Sequence, residues 1–261
     1  MRRLQTAAIT IVCAAFALFI LIPVLAVFLY ISPSDFISTV TSPAVVTPLK
    51  LSLITATASA LIVLLAATPL SYLLARKKFP GMWLLDTVVD IPIVLPPAVA
   101  GLALLLAFAP RGLIGQYMLQ QGIILPGSII AVIMAEVFVA SPFYIRSSKT
   151  AFEAVNQRII DSARVLTKSD SRVFFRITLP LARRGILAGF IMCWARALGE
   201  FGATLLFAGN LPGVTQTMPL AIYLAMGSNL VEADVLSAVL ILFSFVVLVG
   251  FKFLGGWGRS R

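Results

Sequence analysis

Apolar residues in this chain are gathered into long runs with few interruptions. The runs extend from about Ala7 to Tyr30, Pro48 to Leu74, Leu84 to Phe108, Pro126 to Ile145, Leu181 to Ala208 and Val235 to Phe253. A helix needs about 20 mostly apolar residues to cross the hydrocarbon core of a bilayer. The pattern therefore predicts an all-α integral membrane protein of about six transmembrane helices, forming a single domain over residues 1–261 with no sizeable soluble part. The first run follows Met1-Arg2-Arg3, as in a secretory signal, but it exceeds the roughly 7–15 apolar residues of such a signal. It is expected to remain as the first span. The third run carries Asp86, Asp90, Pro92, Pro96 and Pro97. Its prolines must interrupt the helix and free backbone groups, which is tolerated where they face a cavity and not lipid.

The polar positions are as informative. The connection over residues 146–184 is too polar to cross a membrane. Within it Phe152, Val155, Ile159, Ala163 and Leu166 recur at steps of three and four, the spacing of one helix face. Lys168-Ser169-Asp170-Ser171 then breaks the pattern, and Ser169 or Asp170 suits the cap of a second helix. That helix is expected to stop at Leu179-Pro180, because proline disfavours helical geometry in the residue before it. Two readings of this helix–turn–helix stand side by side: a dock for a partner protein, or an amphipathic hairpin lying on anionic lipid.

Composition agrees with the runs and charge orients them. The chain is 60% hydrophobic and 11% charged, with a mean hydropathy of +1.05. Its excess of 20 basic over 10 acidic residues would point to nucleic acid in a soluble protein. Placement explains the excess better. With the N-terminus inside, Arg2, Arg3, Arg76, Lys77, Lys78, Arg146, Lys149, Arg158, Arg164, Lys168, Arg172, Arg176, Arg183, Arg184, Lys252, Arg259 and Arg261 are all cytoplasmic, 17 of the 20. Lys50 and Arg111 fall near external ends, and Arg196 falls inside a span. The positive-inside rule thus puts both termini in the cytoplasm. No nucleic acid is expected as a partner. The absence of histidine excludes histidine metal ligands and proton relays. Cys13 and Cys193 lie in apolar runs without metal-site spacing and are expected to be small packed residues.

The polar connection also resembles a known signature. Permeases of ATP-binding-cassette (ABC) importers carry, on the cytoplasmic side, Glu-Ala-Ala, three residues, Gly, nine residues, Ile, one residue, Leu-Pro. Here Asp161-Ser162-Ala163, Thr167, Ile177 and Leu179-Pro180 stand at that spacing. Thr167 departs from the pattern, since a β-branched residue poorly adopts the turn a glycine supplies. The resemblance implies a type I ABC-importer permease fold in the plasma (inner) membrane of a prokaryote. It implies that this loop docks into separate ATPase subunits, which bind ATP-Mg. No G-x-x-x-x-G-K-[ST] phosphate loop occurs in the chain, so it is not expected to be an enzyme itself or to hold a cofactor.

A second resemblance covers more of the chain. Trp194-Ala195-Arg196-Ala197-Leu198-Gly199-Glu200-Phe201-Gly202-Ala203-Thr204 is similar to the fifth span of molybdate and tungstate permeases. Phe207-Ala208-Gly209-Asn210-Leu211-Pro212-Gly213, Thr215-Gln216-Thr217 and Pro219-Leu220-Ala221-Ile222-Tyr223 continue it. Pro69 to Arg76 and Asp90 to Pro97 belong to the same vocabulary. Sulfate and thiosulfate permeases share part of it and form the nearest alternative. A gradient-driven anion transporter is the alternative of a different class. The resemblance implies a homodimer with two ATPase subunits and an extracytoplasmic oxyanion-binding protein, taking up molybdate or tungstate. The segments 31–46, 112–125 and 209–234 are expected to face that binding protein.

Arg196, Glu200 and Thr204 are the candidate path residues. Arg196 and Glu200 are four apart and share a helix face. Intramembrane charges usually face the bundle interior, where they pair or serve a pathway. The plain reading is an ion pair locking two helices, and the sharper one is contact between Arg196 and a passing oxyanion. Thr204 offers a hydroxyl, although threonine in a span more often bonds its own backbone. Glu136 reads as an acid paired elsewhere. Gly199, Gly202, Ala203 and Ala208 allow close helix approach.

Overall fold

The computed structural model of the chain describes residues 2–77, 79–167 and 169–254. Of the basic set, Lys78, Lys168, Arg259 and Arg261 lie outside the described residues, as do the side chains of Arg2, Arg3 and Lys252. The described residues are helical, with no strand among them. Five helices are long and apolar enough to cross a membrane, and six if a bent pair counts as one span.

The first is α1 (Arg2–Leu29), whose apolar side chains over residues 9–25, such as Phe19 at 72% exposure, face outward. Cys13 on α1 is exposed, against the expectation that it packs, whereas Cys193 is buried. A short helix α2 (Pro33–Val40), capped by Ser32, precedes α3 (Pro43–Arg76). Both internal prolines of α3, Pro48 and Pro69, are accommodated without ending it.

The third apolar run is the bent pair. α4 (Met82–Val94) and α5 (Pro97–Phe108) meet at an angle of 114°. Pro96 and Pro97 remove consecutive backbone donors at the corner, so the helix cannot continue straight. After α6 (Gly115–Gln120), the span α7 (Ile129–Glu153) starts at Ser128, whose hydroxyl accepts from the Ala131 amide. α7 runs well past the expected end at Ile145.

The core forms where α3, α7 and α10 (Leu179–Leu198) pack side by side. Ala56, Ala60 and Val63 of α3, Ala140, Tyr144 and Phe152 of α7, and Ala182, Ile186 and Ala197 of α10 are all buried there. Small residues along these faces let the backbones approach, which is how helices associate in lipid. The expected fifth span is not one helix, because α10 stops at Leu198 and α11 (Gly202–Phe207) starts after a break. The segment 209–234 is more than a loop: it holds α12 (Met218–Met226), which packs on α13 (Leu230–Leu254).

Candidate functional site

The signature residues form an elbow at the basic end of the bundle. α7 ends at Glu153, a tight turn follows, and α8 (Gln157–Thr167) leads through Ser169 to α9 (Asp170–Val173). Asn156 accepts the Arg158 amide at 2.9 Å and so caps α8. This turn shifts the register assumed for a single amphipathic helix. Ile160 and Ala163 are the buried residues of α8, while Ile159 and Leu166, expected on the inner face, are exposed at 47% and 87%. Val165 is exposed at 78%, so α8 carries an apolar outer face as well as an inner one.

Asp161 and Ser162 lie on the exposed side of α8, and Ala163 is inside. Thr167 stands in the last helical position, so the helix itself holds the residue that departs from glycine. Ser169 is the second cap, accepting the Arg172 amide at 3.4 Å. The second helix does not stop at Leu179-Pro180. Phe174–Thr178 forms a π-helical turn, with the Leu179 amide bonded to the Phe174 carbonyl. Widening the turn makes room for the ring of Pro180, which would otherwise press on the preceding turn of a continuous helix. Ile177 and Leu179 pack against the same core as Ala163, and Pro180 is exposed.

Arg76, the last residue of α3, holds the elbow from behind. Its guanidinium donates to the Phe152 carbonyl, to the Val155 carbonyl at 2.7 Å and to Gln157 Oε1 at 2.9 Å. Gln157 in turn donates to Asp161 Oδ1 at 2.9 Å. Arg164 sits 3.6 Å from Asp161 and 2.9 Å from Asp170. Tyr72, Phe152 and Phe174 stack edge to face beneath this relay, with centroids 5.4 Å and 4.9 Å from Tyr72. The sequence marked Arg76 only as a cytoplasmic cation; its position at a helix C-terminus was the available signal.

The partners of two other groups were not foreseen. Arg146 on α7 bridges Asp86 at 2.7 Å and Asp90, and Lys149 reaches Asp86 at 3.0 Å. This network fastens the α4 arm of the bent span to α7. It borders a groove of about 610 Å³ between α7 and α10 whose lining includes Phe143, Ser147 and Met192. Glu136 is 2% exposed and accepts hydrogen bonds from Thr55 at 2.8 Å and Ser59 at 2.7 Å. Its partners are therefore hydroxyls of α3.

The remaining candidates cluster at the break between α10 and α11. Glu200 lies outside both helices and does not continue the face of Arg196 as a helical residue. It still meets Arg196 at 2.7 Å, a contact of charge outside hydrogen-bond alignment, and its other oxygen accepts the Ala203 amide at 2.8 Å. The pair thus ties the end of α10 to the start of α11. Arg196 keeps a side-chain exposure of 28%, against 1% for Glu200. Thr204 is fully buried, and its hydroxyl makes no hydrogen bond. It is enclosed with Ala203 and Phe207, which pack on α5 and α7.

α11 approaches the corner of the bent span very closely. A Cβ on Gly202 would stand 2.7 Å from Pro97 Cβ, and one on Gly101 would stand 2.8 Å from the Ala203 carbonyl oxygen. Gly202→Val is therefore expected to overpack this contact and cost about 1–3 kcal/mol. Thermal unfolding of the purified protein in detergent measures it, and an unchanged midpoint would contradict the close approach.

Residues 67–257 match the family described as binding-protein-dependent transport system inner membrane component. The molybdenum transport system permease protein ModB of Mycobacterium tuberculosis is 37% identical over 232 residues, covering 89% of this chain and 88% of its own. The protein of the same description from Haemophilus influenzae is 38% identical over 83% of this chain and 94% of its own. A crystal structure of a bacterial alginate ABC transporter, in complex with its alginate-pentasaccharide-bound periplasmic protein, has a chain of similar fold. That chain superposes with a TM-score of 0.74 at 18% identity, covering 96% of this chain and 92% of its own.

Proposed function

The chain belongs to the inner membrane components of binding-protein-dependent transport systems, and from that membership we propose that it is the membrane-spanning subunit of an ATP-driven importer of molybdate. Relatives described as molybdenum permeases match it along most of its length, which supports the substrate class. One feature of the geometry carries the mechanism: the elbow exposes Ile159, Val165 and Leu166 while its base is held by α3. An apolar face left exposed on a charged elbow suits a protein surface that becomes buried on docking.

In this reading the basic end is cytoplasmic, together with both termini. Two ATPase subunits dock on the elbows of two copies of the chain and hydrolyse ATP there. An extracytoplasmic protein delivers the oxyanion to the opposite end. Residues 161–163, 167, 177, 179 and 180 belong to the coupling elbow. Closure of the ATPases moves α8, and α7 and α10, which flank the elbow in sequence, carry that movement into the bilayer. Arg196 is the partly exposed cation beside the break, where an oxyanion in transit would meet it. Tungstate, with the same charge and tetrahedral shape, is expected to share the path.

Uptake of labelled molybdate into cells with and without the gene tests the reading. Gene-dependent uptake that persists in excess sulfate and is competed by tungstate is expected. Gene-dependent uptake abolished by sulfate would replace the substrate by sulfate and leave the importer standing. Uptake independent of the partner ATPase would overturn the ATP-driven mechanism.

A further inference from the structure

We propose that Arg76 is a positioning residue for coupling: it makes α3, besides the helices flanking the elbow in sequence, a direct receiver of movement from α8. The proposal rests on the importer reading above and extends it to a residue outside the signature loop.

The geometry is a strut. Arg76 is the last residue of α3, a helix of 34 residues buried along much of its length. Its guanidinium grips the Phe152 carbonyl in the last turn of α7, which also accepts the Val155 amide at 3.2 Å, and the Val155 carbonyl in the turn that follows. A cation there is also favoured by the helix dipole. The same fork reaches Gln157, the first residue of α8. From Gln157 the polar chain passes to Asp161, Arg164 and Asp170. One side chain thus joins α3 to the end of α7 and, through the relay, to the polar side of the elbow. Any rotation of α8 must drag Arg76 or break its bonds.

Two further observations separate a strut from simple glue. The α3–α7 contact is already secured by Ala56, Ala60, Val63 and Ala67 against Ala140, Tyr144 and Ile145, so Arg76 is not needed to hold the helices together. Beside the strut lies a small cavity of about 90 Å³ lined by Tyr72, Arg76, Lys77, Gln157, Ile160 and Arg164. It leaves the joint space in which to shift. Arginine is required because its planar fork serves several acceptors at once, which a lysine ammonium on a flexible stem does not.

The test uses the complete complex, permease with ATPase subunits, in liposomes with the molybdate-loaded binding protein. Molybdate taken up per ATP hydrolysed, and stimulation of hydrolysis by the loaded binding protein, are measured for Arg76→Ala, Arg76→Lys and Gln157→Ala. In assembled Arg76→Ala complexes hydrolysis is expected to continue, while uptake per ATP and stimulation fall about tenfold, the scale of losing charge-assisted hydrogen bonds. Arg76→Lys is expected to fall in the same direction, and Gln157→Ala less. Stimulation and uptake per ATP within about twofold of wild type in Arg76→Ala would overturn the strut. If Arg76→Ala does not assemble, the same result in Arg76→Lys overturns it. A wild-type complex that hydrolyses ATP without importing molybdate would instead remove the importer reading, and the strut with it.

Discussion

Leu166→Asp is expected to abolish molybdate uptake, by a hundredfold or more, without unfolding the membrane helices. Leu166 is 87% exposed and Val165 78% exposed on α8, so neither contributes to the packing of the chain itself. Substitutions at such positions usually change stability by no more than about 0.5 kcal/mol. If the elbow docks into an ATPase subunit, the same carboxylate is buried without a partner. Desolvating an unpaired charge costs several kcal/mol, and about 2.8 kcal/mol is already a hundredfold in affinity. The loss must therefore appear as failure to retain the ATPase subunit. Co-purification of the two subunits and thermal unfolding of the permease alone separate docking from folding. Leu166→Met, which keeps volume and apolar character, is expected to transport normally. Wild-type uptake by Leu166→Asp would show that this face does not dock, and would favour the alternative of an elbow lying on lipid.

The spans were legible because lipid leaves few choices. Every backbone group must be bonded within its own helix, so apolar length alone locates α1, α3 and α13 to within about five residues at each end, and α7 everywhere but at its polar end, where the helix continues to Glu153. The bend between α4 and α5 was legible as an interruption, since Pro96 and Pro97 forbid a straight helix. The break after Leu198 was not. Arg196 and Glu200 at four-residue spacing read as a continuing helix, yet Glu200 leaves the helix and accepts the Ala203 amide. Glu200 stands one residue before the N-cap position, Phe201, and glutamate is not a residue that favours caps, so nothing in the sequence marked the bond by which its carboxylate starts α11.

At the elbow the signature spacing was legible but the face was not. A turn capped by Asn156 resets the helix phase, which exchanged Ile159 for Ile160 on the inner side. Proline as a helix stop failed at Pro180 because a π-helical turn makes room for it. Arg76 and the Asp86–Asp90–Arg146–Lys149 network are long-range partnerships, 56 to 81 residues apart in the chain. Periodicity reports which way a residue faces on its own helix, and nothing in it says which charge on another helix will be opposite.

Glu200→Ala is expected to destabilise the purified protein by about 3 kcal/mol, and Glu200→Gln by appreciably less. Glu200 does two jobs with its two oxygens: one caps the Ala203 amide, and the other balances Arg196. Alanine removes both. It leaves a buried amide without an acceptor, at about 1–3 kcal/mol, and a cation beside the bundle without its counter-ion. Water relieves part of the second cost, because Arg196 retains a side-chain exposure of 28%. Glutamine keeps an oxygen for the Ala203 amide and loses only the charge, so the difference between the variants measures the cap. Equal loss in the two variants would show that the ion pair, and not the cap, holds the break. The same pair of variants tests the role of Arg196. Glu200→Gln frees its charge with the backbone still capped, so an oxyanion that meets Arg196 in transit should bind more tightly, and uptake should change in KM and kcat. Arg196→Gln should then lower uptake about tenfold or more at little cost in stability. If Arg196→Gln transports at the wild-type rate, the pair is structural, and the oxyanion passes the break without meeting its charge.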